Sequence, residues 1–453
     1  MLSFSFAMLG LTEYLLLAVA AIYLAIQFLK PKVKLPPGPR GLPVVGNILQ
    51  MTEKPHLQLA AWAKQYGEIY TIQLGSNTGI VLNDQKLIKD VLSNTDFSFR
   101  PDIPLFSMFS GGEYGIINTN GAAWEEQRRW VLRKLRDYGF GKTSMEGVIL
   151  DEVSEVVEYF KANGKTPIEV ADRFNVATMN SIWTILNGKR LSQDDPKIRA
   201  VLTAFHDVPA AIGNSGLMFA PWLRHVYPKS YQVVKNAADS VMKYARAAVS
   251  EHFDSYQDGI TRDFIDEYID EIKKTEEPSS SFHTNEGRKN LEAVVSDLIQ
   301  AGAETSSNTI TWAIAYLSHN TKVQVELQKE LDTVLGTRPV ALSDKPDLPY
   351  TEAVILETLR HSSIVSGGVQ HSEVNGYTIP KGAWIFTNIY FVHHNSKIWG
   401  DPENFRPDRF LSNDGKKLVK ALIPFQSGRR QCLGESLARD TLFFIYKYHL
   451  SKI

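Results

Sequence analysis

Apolar residues recur at spacings of three and four along most of this chain. The stretches from Trp124 to Asp137, Ile149 to Asn163, Ser230 to Tyr256, Arg288 to Asn320 and Gln324 to Gly336 all carry that period, which predicts amphipathic helices. Alternation with period two is confined to two places. "GEIYTIQLGSNTGIVLND", Gly67 to Asp84, predicts a β-hairpin around a Gly/Ser/Asn turn, and strand signals return between Gly368 and Tyr390. The polar, proline-marked run from Thr275 to Lys289 predicts a loop between two helices. No composition break divides this body. The expected fold is therefore mainly α with a small β region, in a single large domain.

The N-terminus breaks the pattern. From Leu2 to Leu29 the only charge is Glu13, a run long enough for the ~20 apolar residues that span a bilayer. Lys30, Lys32, Lys34 and Arg40 follow, which favours keeping that end on the cytoplasmic side. The run continues past a cleavage-like Ala18-Val19-Ala20, so a retained anchor is expected rather than a removed signal peptide. Pro36, Pro37, Pro39 and Pro43, interleaved with three glycines, then predict a stiff, extended connector. The organisation expected is a transmembrane signal-anchor over 1–29, a basic, proline-rich hinge over 30–46, and a domain over 47–453.

Charge is balanced, with 49 Lys and Arg against 50 Asp and Glu, and gives no global reason to expect a nucleic-acid partner. Among 453 residues there is one cysteine, Cys432, so no intramolecular disulfide can form. A lone cysteine is commonly a small core hydrophobe. Its surroundings in "PFQSGRRQCLGESLARD" point elsewhere: Gly428 and Gly434 permit close approach of something bulky, and a helix starting at Glu435 would favour a thiolate. A nucleophilic cysteine would need a positioned base, and no nearby pattern supplies one. A metal is the other use of a thiolate. One cysteine excludes cysteine-rich zinc and iron-sulfur sites and suits haem, which leaves a single axial position to the protein.

Phe425, Gly428, Arg430, Cys432 and Gly434 match the FxxGxRxCxG haem-binding signature, and here the chain resembles the cytochrome P450 monooxygenases. Three further motifs stand in the family's order. "ETLR" places Glu357 and Arg360 on one helical face; with Arg409 of "FRPDRF" they resemble the family's buried charged triad behind the cysteine loop. "AGAETSS" lies inside a long apolar helix, where Thr305 would bond back to Ala301 or face an opening weakened by Gly302. The resemblance makes Glu304 and Thr305 the catalytic proton relay and sets Ala301 over the haem. "WEEQRR" puts Trp124 and Arg128 one turn apart, matching the family's propionate contacts, and Arg430 and His371 match two more. Arg129, Arg133 and Arg136 form a basic stripe that suits an acidic electron donor or is simply a solvated face.

The resemblance is to the microsomal, animal type. It implies the P450 fold behind an N-terminal anchor, haem b (iron protoporphyrin IX) on the Cys432 thiolate, and electrons from NADPH. It also implies a flavoprotein reductase and cytochrome b5 as partners, and a single-pass location in the endoplasmic reticulum membrane with the catalytic domain on the cytoplasmic side. The reaction implied is insertion of one oxygen atom from O2 into an apolar substrate such as a lipid, steroid, terpenoid or xenobiotic. The alternatives are a non-oxygenating isomerase or dehydratase of the same fold, and an anchored haem-binding protein without turnover. The segments "IPLFSMFSGG" (103–112) and "GLMFAPWL" (216–223) are expected to build much of the pocket and its mouth. Two departures touch the substrate walls. The region 361–376 is about five residues short and lacks prolines near Ser366 and Gln370. The chain also stops one helix after Cys432, so the pocket is expected to be open there or the sequence a fragment.

Overall fold

The computed structural model describes residues 34–447, except 52–53, 165, 214–215, 365–366, 371–375 and 378, together with the single positions 14, 18 and 21. The expected anchor over 1–29 lies outside the described residues apart from those three. Among the described residues no helix is long and apolar enough to cross a membrane.

The principal elements are α1 (Pro55–Tyr66), β1 (Ile69–Leu74), β2 (Asn77–Leu82), α2 (Gln85–Ser93), α3 (Gly121–Asp137), α4 (Glu146–Asn163), α5 (Asn175–Asn187) and α6 (Pro228–Ser255). They continue with α7 (Phe264–Lys274), α8 (Thr284–His319), α9 (Thr321–Leu335), α10 (Pro349–Ser362), β3 (Gly367–Gln370), β4 (Trp384–Thr387) and α11 (Glu435–Ile445). Helix α8 begins at Thr284, five residues before the predicted loop ends, because Phe282 is buried and draws the helix start under the core.

The four strands form one sheet in the order β1-β2-β4-β3. The hairpin pairs Ile69 with Leu82 through to Leu74 with Asn77. Strand β4 joins β2 in parallel, Gly79 opposite Trp384 and Leu82 opposite Thr387, so the sheet ties the first quarter of the chain to the last.

The proline-rich segment is docked, not a free spacer. The Thr71 amide donates to the Pro37 carbonyl at 2.9 Å, Thr71 Oγ1 donates to the Pro36 carbonyl at 2.8 Å, and Gly46 bridges to Leu74. A boundary at residue 47 therefore runs through packed structure.

Helix α8, 36 residues and about 54 Å long at 1.5 Å per residue, runs through the main core. It buries Leu291, Val294, Leu298, Ile299, Ala303 and Ile310 on several sides, which is why its apolar pattern is not confined to one stripe. Helix α5 crosses it closely. A Cβ at Gly302 would lie 2.8 Å from Ile182 Cγ2, so this glycine is needed for helix contact. The opening of α8 considered at Gly302 is not seen; the helix is continuous from Thr284 to His319.

Candidate active site

Helix α8, helix α11 and the Cys432 loop enclose a cavity of about 1130 Å³. The loop is shaped by its own backbone: the Cys432 amide donates to the Phe425 carbonyl at 3.0 Å and the Gln431 amide to the Gly428 carbonyl at 3.1 Å. The two glycines do different work. Gly428 has φ +75°, and a Cβ there would lie 1.9 Å from the Leu92 carbonyl oxygen, so it seats the loop against the end of α2 and does not line the cavity. Gly434 caps α11 and lines the cavity, and a Cβ there would point into open space. Only Gly434 clears room beside the sulfur.

Cys432 is exposed, but to the cavity. Burial pushes its thiol pKa up and Glu435 adds to that, while the Gly434 amide and Arg128 pull the other way. The start of α11 alone does not hold this sulfur ionised; a bonded metal cation would.

Three arginines converge on the same cavity. Arg430 spans the gap to residues 98–120, donating to the Ser98 carbonyl at 2.8 Å, the Thr119 carbonyl at 2.7 Å and Asn120 Oδ1 at 3.0 Å. Its guanidinium lies 3.8 Å from the centre of the Trp124 ring. Burial and the charges of Arg100, Arg128 and Arg429 push its pKa down to about 8. Arg128 donates to the Gln431 carbonyl, and burial lowers its pKa. Trp124 is buried beneath them, and its indole N–H meets no acceptor among the described residues. Neither Arg128 nor Arg430 has a carboxylate partner among the described residues; Arg429 does, Glu125 at 2.8 Å. Arg100, which no sequence motif marked, lines the cavity beside them.

A soft thiolate donor, clustered cations, an unanswered indole N–H and the open space at Gly434 together fit an iron porphyrin with its carboxylate side chains. Phe425 and Ala301 line the same space. Thr305 also lines it and donates to the Ala301 carbonyl at 2.8 Å, which leaves its hydroxyl oxygen free to accept. Glu304 does not line it. Its carboxylate accepts from Asn175 Nδ2 and Asn308 Nδ2, both at 3.4 Å, and burial with Asp172 raises its pKa. His371 lies outside the described residues.

Behind the Cys432 loop, Glu357, Arg360 and Arg409 are buried together. Arg360 donates from Nε and Nη2 to the two Glu357 oxygens at 2.8 Å each, and Arg409 Nε lies 3.2 Å from the same carboxylate. Their remaining donors are absorbed by carbonyls of His393, Pro402, Trp399 and Asn404. Sequence reasoning missed one more polar group on the wall: Asp297, two turns before Thr305 on the same face of α8, fully buried. Burial pushes its pKa up to about 7 against the hydrogen bonds it accepts from Ile116, Ile117 and Ser110. An acidic residue in an apolar helix is a detectable signal, but its partners lie about 180 positions away.

Comparison with known proteins matches the chain over nearly its whole length. The family description Cytochrome P450 matches residues 36–452. The chain is 34% identical over 432 residues to cytochrome P450 18a1 of Drosophila melanogaster, covering 91% of this chain and 80% of that protein. It is 33% identical to farnesoate epoxidase of Bombyx mori, covering 92% and 87%, and 33% identical to cytochrome P450 2J2 of Homo sapiens, covering 97% and 89%. With the motifs in order and a match over nearly its whole length, this chain belongs to the cytochrome P450 family, the haem-dependent monooxygenases that hold iron through a cysteine thiolate.

Proposed function

We propose that this protein inserts one oxygen atom from O2 into an apolar, lipid-like substrate, taking electrons from NADPH through a flavoprotein reductase with cytochrome b5 as a second donor. The observation that carries the reading is the placement of Cys432, Ala301 and Thr305 on one large, mostly apolar cavity. In this reading Cys432 would hold the iron through its thiolate. Arg430, Arg128 and Trp124, with Arg100 added, hold the porphyrin carboxylates, and Phe425, Ala301 and Gly434 bound the ring. His371 is a further carboxylate contact by resemblance. The bound haem supplies reductive activation of O2, with thiolate donation favouring O–O cleavage.

The chain's own contributions are binding, shielding and proton handling. Ile103, Phe106, Ile182, Phe219 and Leu298 line the cavity and exclude water around an apolar substrate. Thr305 holds a hydroxyl at the reacting end. Glu304, with its raised pKa, takes up a proton more readily than an ordinary glutamate and sits one residue away. Its present bonds to Asn175 and Asn308 must be exchanged before it passes that proton inward.

Leu49 and Trp222 are exposed and also line the cavity, and Leu42, Val44 and Val226, close to them in sequence, are exposed as well. Gly216 sits against Ile48, and Asn77 Nδ2 donates to the Phe219 carbonyl at 3.2 Å, joining the two segments. Such an apolar rim suits entry from a lipid phase and supports the endoplasmic reticulum membrane as the location, held by the apolar run at 1–29. The test is the reduced carbon monoxide difference spectrum. Wild-type protein is expected to show a thiolate-type Soret band that Cys432→Ala abolishes, and NADPH with a reductase is expected to give an oxygenated product. Folded wild-type protein that takes up no haem sinks the reading.

A further inference from the structure

Asn118 lines the cavity just before α3 begins. Its Nδ2 lies 3.1 Å from the Phe106 carbonyl oxygen and 3.1 Å from Ser110 Oγ. A carbonyl oxygen can only accept, so the amide must turn its nitrogen, and not its oxygen, toward Phe106. Ser110 gives its own hydroxyl proton to Asp297 Oδ1 at 3.2 Å, which leaves its oxygen to accept the second amide proton. Both protons of the Asn118 amide are therefore committed to the wall, and a flip would set its oxygen against the Phe106 oxygen. Asn118 Oδ1 accepts from no group among the described residues, and it is not sealed in the interior. Around it, Ile103, Ile116, Ile117 and Leu298 line the same cavity with side chains that offer no donor. In such an apolar space a hydrogen bond counts for more than at a wetted surface.

We infer that Asn118 is a specificity-determining residue, a fixed hydrogen-bond acceptor that selects apolar substrates carrying a hydroxyl or an amide N–H over otherwise identical molecules that lack this donor. The inference rests on the proposed function in taking this cavity as the substrate site. A donor placed against Oδ1 replaces solvent there with a bond of similar quality. An ether or a plain hydrocarbon at that point strips the oxygen of solvent and returns nothing. Apolar bulk alone does not make the distinction, because a hydrophobic pocket separates molecules that differ by one small group only weakly.

The test uses the full-length, haem-loaded protein and equilibrium dialysis, so that binding is read without the haem chromophore. The probes are a steroid alcohol, a terpene alcohol and a fatty alcohol, each paired with its own methyl ether, which keeps the oxygen and loses the donor. Wild type is expected to hold the alcohol about tenfold more tightly than the ether for at least one skeleton. Asn118→Leu, close in size and without the acceptor, is expected to bring that ratio to about one with haem content unchanged. Asn118→Gln keeps every hydrogen-bonding group, which keeps the test decisive if the leucine variant does not fold. It moves the oxygen by one methylene and is expected to lose most of the preference. A wild-type ratio near one for every skeleton, or a preference that survives in either variant, overturns the assignment. Absence of any Soret band defeats the haem-thiolate reading, and the dialysis ratio still decides the role of Asn118.

Discussion

The Glu357–Arg360–Arg409 cluster and the Arg100–Arg128–Arg430 cluster both gather charge, one in the core and one on the cavity that holds Cys432. In the first, a carboxylate sits between the two guanidiniums and the surrounding carbonyls take the remaining donors. In the second, Arg128 and Arg430 have no carboxylate partner among the described residues, and burial with the neighbouring arginines drives the pKa of Arg430 down to about 8. The first is complete without a ligand. The second holds electrostatic repulsion that an anionic ligand would relieve. The contrast separates a set closed on itself in the core from one that is half-buried and faces a cavity: both are arginine-rich, and the location of the negative charge distinguishes them.

The largest effect is expected in the closed cluster. Arg360→Leu leaves Glu357 with one guanidinium partner instead of two and strips the bonds to His393 and Pro402. Breaking a buried ion pair from one side costs about 3–5 kcal/mol, a large share of a domain's stability. The expected outcome is little soluble protein, and what is recovered should unfold at markedly lower denaturant concentration. Near-normal yield and unfolding midpoint would show that the triad is not a stabilising unit. In the open cluster the outcome reverses. Arg430→Leu relieves repulsion while losing carbonyl bonds, so the fold is expected to survive within about 1–2 kcal/mol. Haem per folded polypeptide should fall, and the rate of haem transfer to apomyoglobin should rise about tenfold or more, as loss of charge-assisted bonds predicts. Equal haem retention in the wild type and Arg430→Leu would remove Arg430 from the binding set.

These clusters also show how far the sequence could be read. Glu357 and Arg360 three apart, and Trp124 and Arg128 four apart, are local spacings that a helix converts directly into shared faces. Their pairing with Arg409 and with Cys432 came only through a family pattern, since no spacing rule spans such distances. Arg100 and Asp297 escaped for the same reason: their partners come from segments far along the chain. The roles of the glycines were misjudged where backbone contact decides. Gly428 faces Leu92 and Gly302 faces Ile182, contacts that only packed coordinates reveal. Periodicity located the helices and hairpin well, and missed the start of α8 because the polar residues 284–289 that form its first turns read as readily as a loop.

A third buried charge extends the comparison with the smallest expected effect. His252 sends Nδ1 toward the Ala248 carbonyl at 2.7 Å and Nε2 toward Asp263 at 2.9 Å, so both ring nitrogens face acceptors, the arrangement of an imidazolium. Asp263 also caps α7, and Asp266 beside it is held by Arg262 through Nε at 2.6 Å. Burial pulls the His252 pKa down, but the bonds to Asp263 and Ala248 and the charges of Asp263 and Asp266 outweigh it and leave the pKa raised. Because the folded value lies above the unfolded one, the stabilisation is fully present below about pH 6.5 and is lost as pH rises through the folded value. Like the triad, this charge is answered within the protein, so its titration should register as stability and not as haem binding. The melting temperature of wild type relative to His252→Gln is expected to be highest near about pH 6 and to shrink toward about pH 9, with haem content equal throughout. A gap that stays flat or widens with pH would mean that His252 is neutral in the folded protein and that its contact with Asp263 is an uncharged hydrogen bond.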